Sequence, residues 1–275
     1  MKNIIRISIA GANDLKIFEL VNNFQDNKFF FDLYGVGEAE YDFGANVNYI
    51  AADSDEEVAK LAVADVLNGT DILFKGLIQT HTLLKEVLKK EYNLVDQKLL
   101  SHIAIVEVPL LGRPILLTDA AMNIDPNLDQ ERLIIDNAIK VAHSIGISQP
   151  KVSLLSSAEN INPKMPSSVK ARDLTDFYSS KEIDATVYGP LSLDISLSKE
   201  ISQEKNFTGP IQGDADVLVV PNIDVGNVLY KSLTMFANAK VGGIVVGAKV
   251  PIVLTSRGDS LDNKILSLKF ALKTI

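Results

Sequence analysis

Short apolar runs rich in β-branched residues alternate along this chain with longer segments of helical period. That alternation restricts it to an α/β fold of strand–helix units on a mostly parallel sheet. The predicted strands cover residues 4–9, 29–34, 48–51, 72–74, 103–108, 115–118, 152–155, 186–188, 217–220, 243–246 and 252–255. One helix starts after Asp53: Ser54 with Glu57 three residues on reads as a capping box, Val58, Leu61, Ala62 and Val66 form the buried stripe, and Gly69 closes it. Other helices are predicted over 80–90, 129–145 and 225–239, and Leu261, Ile265, Leu268 and Leu272 mark the buried face of a last one.

Eleven strands exceed what one sheet comfortably carries, so two α/β domains are expected. The stretch PLLGRP (109–114) is the candidate crossing and the return falls near 241–247, which assigns 1–108 plus 245–275 to the first domain and 109–244 to the second. With 275 residues and 47% hydrophobic content the chain can bury sizeable cores. The formal charge of −8 disfavours nucleic acid or an anionic membrane surface as partner, because both select clustered Lys and Arg. An anionic ligand then needs a local basic site, and Arg6, Arg113, Arg132, Arg172 and Arg257 are the only arginines. The lack of cysteine rules out disulfides, Cys-ligated metal sites and an acyl-cysteine intermediate, and fits a cytoplasmic protein. The opening MKNIIRISIAGAND is interrupted by Arg6 and reads as a first strand, not a signal peptide. Lys249 and Pro251 break the longest late apolar region short of the ~20 residues of a membrane span.

The stretch VPIVLTSRGDSLDN (250–263) runs from an apolar strand into Thr255, Ser256 and Arg257, turns at Gly258 and enters an acidic helix start. At such a place free N–H groups and the helix dipole favour an anion, and Arg257 stands where it can hold one. Three more segments pass from a strand through small or polar residues into a helix: Lys75-Gly76 with Thr80, Asp119 with Asn123, and Pro221-Asn222 with Gly226-Asn227. If all four end parallel strands, they gather on one rim. In PNIDVGNVLYKSLTMF, Val225, Val228, Leu229, Leu233 and Phe236 form a stripe read as core, and Lys231 lies off it. Asp224 is read as an N-cap or a ligand-binding group, and Gly226 as a site of close ligand approach. Asp259, Ser260 and Asp262 are caps favoured by the dipole or, for Asp262, a general base. His81 and His143 are read as surface or packing residues, His102 stays open, and the three show no metal spacing. No Walker loop, dinucleotide fingerprint or hydrolase elbow occurs.

The segments KGLIQT (75–80), LSHIAIVEVP (100–109), TDAAMNIDP (118–126), NPKMPSS (162–168), GPLSLD (189–194), and DADVLVVPNIDVGNVLYKSL through AKVPIVLTSRGDS (214–260) closely resemble the phosphate acetyltransferase/phosphate butyryltransferase family. The likeness runs in family order from about residue 70 to 260, while the first 50 residues match loosely. It implies reversible conversion of acyl-CoA and inorganic phosphate to acyl phosphate and free CoA. It also implies two α/β domains with a cleft between them, similar to isocitrate and isopropylmalate dehydrogenases, usually in a homodimer. The C-terminal segment would return to the first domain, so that Ser256 and Arg257 face the cleft.

By this resemblance Arg257 binds the phosphate or phosphoryl group, Ser256 assists at the thiol or the developing charge, and an acid, Asp262 with Asp259 in reserve, deprotonates the thiol. A CoA thiol of pKa near ~8.5 is mostly protonated at neutral pH, so a positioned base helps. Absent cysteine, direct attack in a ternary complex is expected. The expected substrate-binding set is Lys75, Gly76, Thr80, His102, Asp119, Asn123, Asn222, Gly226, Asn227, Lys231 and Gly258, with CoA or acyl-CoA as substrate and neither a permanently bound cofactor nor a metal. Two positions depart from the acetyltransferase branch: its acid lies where this chain has Asn263, and His102 replaces an expected arginine. Both, with GDS after Ser256-Arg257 and the form KGLIQT, favour the butyryltransferase branch. The alternatives are a non-catalytic CoA or acyl-phosphate binding protein and a decarboxylating dehydrogenase, which needs a metal carboxylate cluster that the sequence does not offer.

Overall fold

The computed structural model describes residues 4–95, 99–256 and 258–275. Every predicted strand is present: β1 (Ile5–Ala10), β2 (Phe29–Val36), β3 (Val47–Ala52), β4 (Ile72–Lys75), β5 (Ser101–Glu107), β6 (Pro114–Thr118), β7 (Lys151–Leu155), β8 (Thr186–Leu191), β9 (Val217–Val219), β10 (Lys240–Val246) and β11 (Ile252–Leu254). The helices among the described residues are α1 (Leu15–Asn22), α2 (Asp55–Asp65), α3 (Thr80–Val87), α4 (Leu128–Ser144), α5 (Pro166–Ser179), α6 (Leu193–Leu197), α7 (Lys199–Glu204), α8 (Ile223–Phe236) and α9 (Leu261–Leu272). None is long and apolar enough to cross a membrane.

Two compact units result, Met1–Leu100 with Gly242–Ile275, and Ser101–Val241. In the first the strands run β3-β2-β1-β4-β11-β10, parallel except for the β10–β11 pair. In the second they run β5-β6-β9-β7-β8, parallel except for β5–β6. All four residues of β4 and the last four of β1 are buried, as expected of parallel strands covered on both faces. The second unit packs Val106, Leu117, Leu191, Ile195 and Leu218 into one core. The stretch PLLGRP is a hairpin turn and not the crossing: β5, expected in the first domain, pairs antiparallel with β6 from Ile103↔Thr118 to Glu107↔Pro114. Gly112 closes that turn at a left-handed φ of 64°.

At α2 the Ser54 hydroxyl accepts from the Glu57 N–H (3.3 Å), while the Glu57 carboxylate accepts from Asp53 N–H (2.8 Å), one residue before the cap. Val58, Ala62 and Val66 are buried, Leu61 only half so, and Gly69 at φ 97° ends the segment. α3 stops at Val87, short of the expected residue 90. α1, α5, α6 and α7 have no counterpart in the periodicity reading. α5 buries Ser168, Ala171, Leu174, Thr175 and Tyr178, a face too small and polar to register as an apolar stripe.

Two helix faces differ from their sequence reading. In α8 the presumed core stripe is split: Leu229 and Leu233 pack on the second unit's core, but Val225, Val228 and Phe236 are 42%, 66% and 82% exposed. The helix approaches through Gly226, its only buried residue among those described, so the contact line is rotated away from the large side chains. In α9 the buried face is Lys264, Ser267, Leu268 and Ala271, joined by Phe270, while Leu261, Ile265 and Leu272 are half-buried. Two polar side chains therefore occupy the core side of the last helix.

Candidate functional site

The first unit presents the strand–turn–helix at 250–263. β11 ends at Leu254, Thr255 is buried, and Ser256 is exposed at the carboxyl end; Arg257 lies outside the described residues. The Asp259 carboxylate accepts from the Ser256 N–H (2.6 Å), the Asp259 N–H donates to the Ser256 carbonyl (3.1 Å), and the Gly258 N–H donates to Ser256 Oγ (3.4 Å). The Lys16 ammonium holds the Asp259 carbonyl at 2.9 Å. The N-cap is Ser260, whose hydroxyl accepts from the Asn263 N–H (3.2 Å). Asp262 is exposed on the first turn, and its carboxylate makes no hydrogen bond or ion pair among the described residues. Of the two candidate bases, Asp259 is occupied in shaping the turn and Asp262 is open to a ligand.

β11 and β4 are parallel neighbours with Leu254 opposite Lys75, so their ends lie side by side. Lys75 is buried, its ammonium donating to the carbonyls of Gly76 (3.1 Å) and Ile78 (3.0 Å), and its carbonyl accepts from the Thr255 hydroxyl (3.2 Å). Gly76 is small because of packing: a Cβ there would lie 2.1 Å from the Gly11 carbonyl oxygen. Thr80 opens α3 on the surface.

In the second unit the loops after β6 and β9 meet. Asp119 is 3% exposed, and its carboxylate accepts from four donors: the N–H groups of Ala121 (3.0 Å), Met122 (2.9 Å) and His102 (3.1 Å), and the Asn123 amide (2.6 Å). Gly226 packs on this loop, since a Cβ would lie 2.8 Å from Ala120 Cα and 2.9 Å from the Asp119 carbonyl oxygen. The close approach read as a ligand's is thus made by backbone. Asn222, not Asp224, caps α8, because its extended backbone aims the side chain at the Val225 N–H (3.0 Å), leaving Asp224 exposed within the first turn. Asn227 and Lys231 are exposed. A cavity of about 630 Å³ over the ends of β7 and β9, lined by Leu155, Leu193, Pro221, Val225 and Leu229, offers an apolar volume.

His102 is buried with its Nδ1 unpartnered among the described residues, and burial lowers its pKa below 6.5 against the opposing charge of Asp119. It is a neutral group, unlike the arginine expected in its place. His81 and His143 are exposed, the latter with Nε2 2.9 Å from the Asp184 carbonyl oxygen. The sequence suggested no role for Thr255, which it placed at the strand end, or for Lys16, Lys170 and Lys264. Lys170 ties both second-unit loops together, donating to the carbonyls of Pro126 (2.8 Å) and Pro221 (3.3 Å) while paired with Glu131 at 2.8 Å. Lys264 donates to the Thr255 hydroxyl at 3.0 Å. The available signal for it was helical phase, since residue 264 is in register with Leu268 and Ala271.

Residues 45–271 match the family described as "Phosphate acetyl/butaryl transferase". A probable phosphate butyryltransferase from Bacillus subtilis is 43% identical, over 83% of this chain and 77% of its own length. The phosphate butyryltransferase of Clostridium acetobutylicum is 38% identical, over 98% and 93%. The crystal structure of a branched-chain phosphotransacylase from Enterococcus faecalis superposes with a TM-score of 0.93 at 48% identity, covering 98% of this chain and 99% of that one.

Proposed function

The chain belongs to the phosphate acetyl/butyryl transferase family, and from that membership we propose that it moves a short acyl group, butyryl or branched in preference to acetyl, reversibly between CoA and inorganic phosphate. The observation that carries the site assignment is the turn after β11, where Ser256 stands exposed at a strand end ahead of a helix N-terminus. Asp262 takes the thiol proton of CoA. The thiolate then attacks the acyl carbonyl of the acyl phosphate, the C–S bond forms, and the bond to the phosphate oxygen breaks with its electron pair leaving on phosphate. In the other direction a phosphate oxygen attacks the thioester, and the thiolate leaves and recovers the proton. Arg257 and the Ser256 hydroxyl offset negative charge on the phosphoryl and acyl oxygens, and the buried neutral imidazole of His102 serves as a hydrogen-bonding rather than a charged substrate contact. Replacing Arg257 with Ala is expected to lower phosphate-dependent thiol release from acyl-CoA at least roughly a hundredfold; a variant with native rates removes Arg257 from the site.

The protein acts as a cytoplasmic homodimer in this reading, without nucleic-acid or membrane partners. Support for the dimer comes from the apolar residues that α8 leaves in solvent, Val225, Val228, Met235 and Phe236.

A further inference from the structure

Lys264 sits on the buried face of α9 with 2% of its surface exposed. Its ammonium donates to the Thr255 hydroxyl (3.0 Å) and reaches the Ser256 carbonyl (3.5 Å). The Thr255 hydroxyl in turn donates a hydrogen bond to the Lys75 carbonyl (3.2 Å), so one chain of bonds joins the second turn of α9 to the ends of β11 and β4. No carboxylate among the described residues pairs with this ammonium. Asp259 and Asp14 favour its charge from farther away, while burial, the larger effect, and Lys16 oppose it. Packing alone would be served better by Leu or Met, because a buried cation without a counter-ion is costly to fold around. An anion arriving at the adjacent turn would supply the missing negative charge.

We propose that Lys264 is a positioning residue for acyl transfer: its ammonium fixes Thr255 and the Ser256 backbone, and places positive charge beneath the turn that receives phosphate. The inference rests on the assignment of phosphate to that turn. The test compares the full-length protein with Lys264→Met and Lys264→Gln, measuring kcat, KM for phosphate, KM for butyryl-CoA and the thermal midpoint. Expected are a KM for phosphate raised roughly tenfold or more and a lower kcat, a KM for butyryl-CoA within about twofold, and a midpoint for Lys264→Met equal to or above that of the native protein. Retained kcat and phosphate KM in a folded variant overturn the proposal, as does an equal rise in both KM values. If Lys264→Met does not fold, Lys264→Gln, which keeps a donor toward Thr255 without the charge, decides by the same criteria. If neither folds, the role is in folding and the proposal fails. Native protein with no turnover of butyryl-CoA and phosphate would instead overturn the acyltransferase reading itself.

Discussion

Asp259 and Asp262 lie on the same turn but differ in what their carboxylates touch. Asp259 accepts the Ser256 N–H at 2.6 Å, a charge-assisted bond that holds the reversal, whereas Asp262 faces solvent. Asp262→Asn is therefore expected to lower kcat by roughly a hundredfold with little change in KM for CoA, as loss of a general base does. Asp259→Asn should act first on stability, lowering it by about 1–2 kcal/mol in thermal or denaturant unfolding. An unchanged rate in Asp262→Asn would pass the proton to Asp259 or to solvent. His102 gives a pH prediction with a defined sign. Its folded pKa lies below its ordinary value of 6.5, so the unfolded chain binds more protons under that pH, and stability present above about pH 6.5 is lost as the medium is acidified. His102→Gln should flatten that acid limb of the unfolding free energy, and an unaltered slope would refute a buried neutral imidazole. At this scale the sequence marked residues that stand at strand ends, such as Lys75, Asp119 and Ser256. Whether Gly76 and Gly226 yield space to a ligand or to backbone depends on the loops facing them, Gly11 and Asp119–Ala120, which come from distant strands.

Among the elements, strands were the most legible, because a parallel strand buried on both faces writes its burial as an unbroken apolar run, as in Ile72–Phe74. Helix faces were less so. Periodicity locates a stripe but not the angle at which the helix meets the sheet, and a glycine contact in α8 and the polar Lys264 and Ser267 in α9 each rotated the buried face off the apolar one. The consequence for α8 is a row of exposed large side chains, with Met235 at 69% and Phe236 at 82%. If that row is the dimer surface, Phe236→Asp should shift the protein from dimer toward monomer in sedimentation velocity at micromolar concentration. A dimer unaffected by the change would place the interface elsewhere.

For the whole molecule, two α/β units with a C-terminal segment returning to the first agree with the order of the strand–helix segments, and not with the strand count that was used to argue for them. The position of the crossing did not follow from them, because PLLGRP carries the Pro and Gly of a linker and of a hairpin turn alike, and only the antiparallel pairing of β5 with β6 separates the two. Family membership and the 0.93 structural likeness to a branched-chain phosphotransacylase make acyl transfer the central claim, and chain length its finest part. The most direct test is the initial rate of thiol release from acetyl-, propionyl-, butyryl- and isobutyryl-CoA, each with inorganic phosphate. Phosphate-dependent release that is fastest with butyryl- or isobutyryl-CoA is expected; release that does not depend on phosphate, or none with any of the four, would contradict acyl transfer to phosphate.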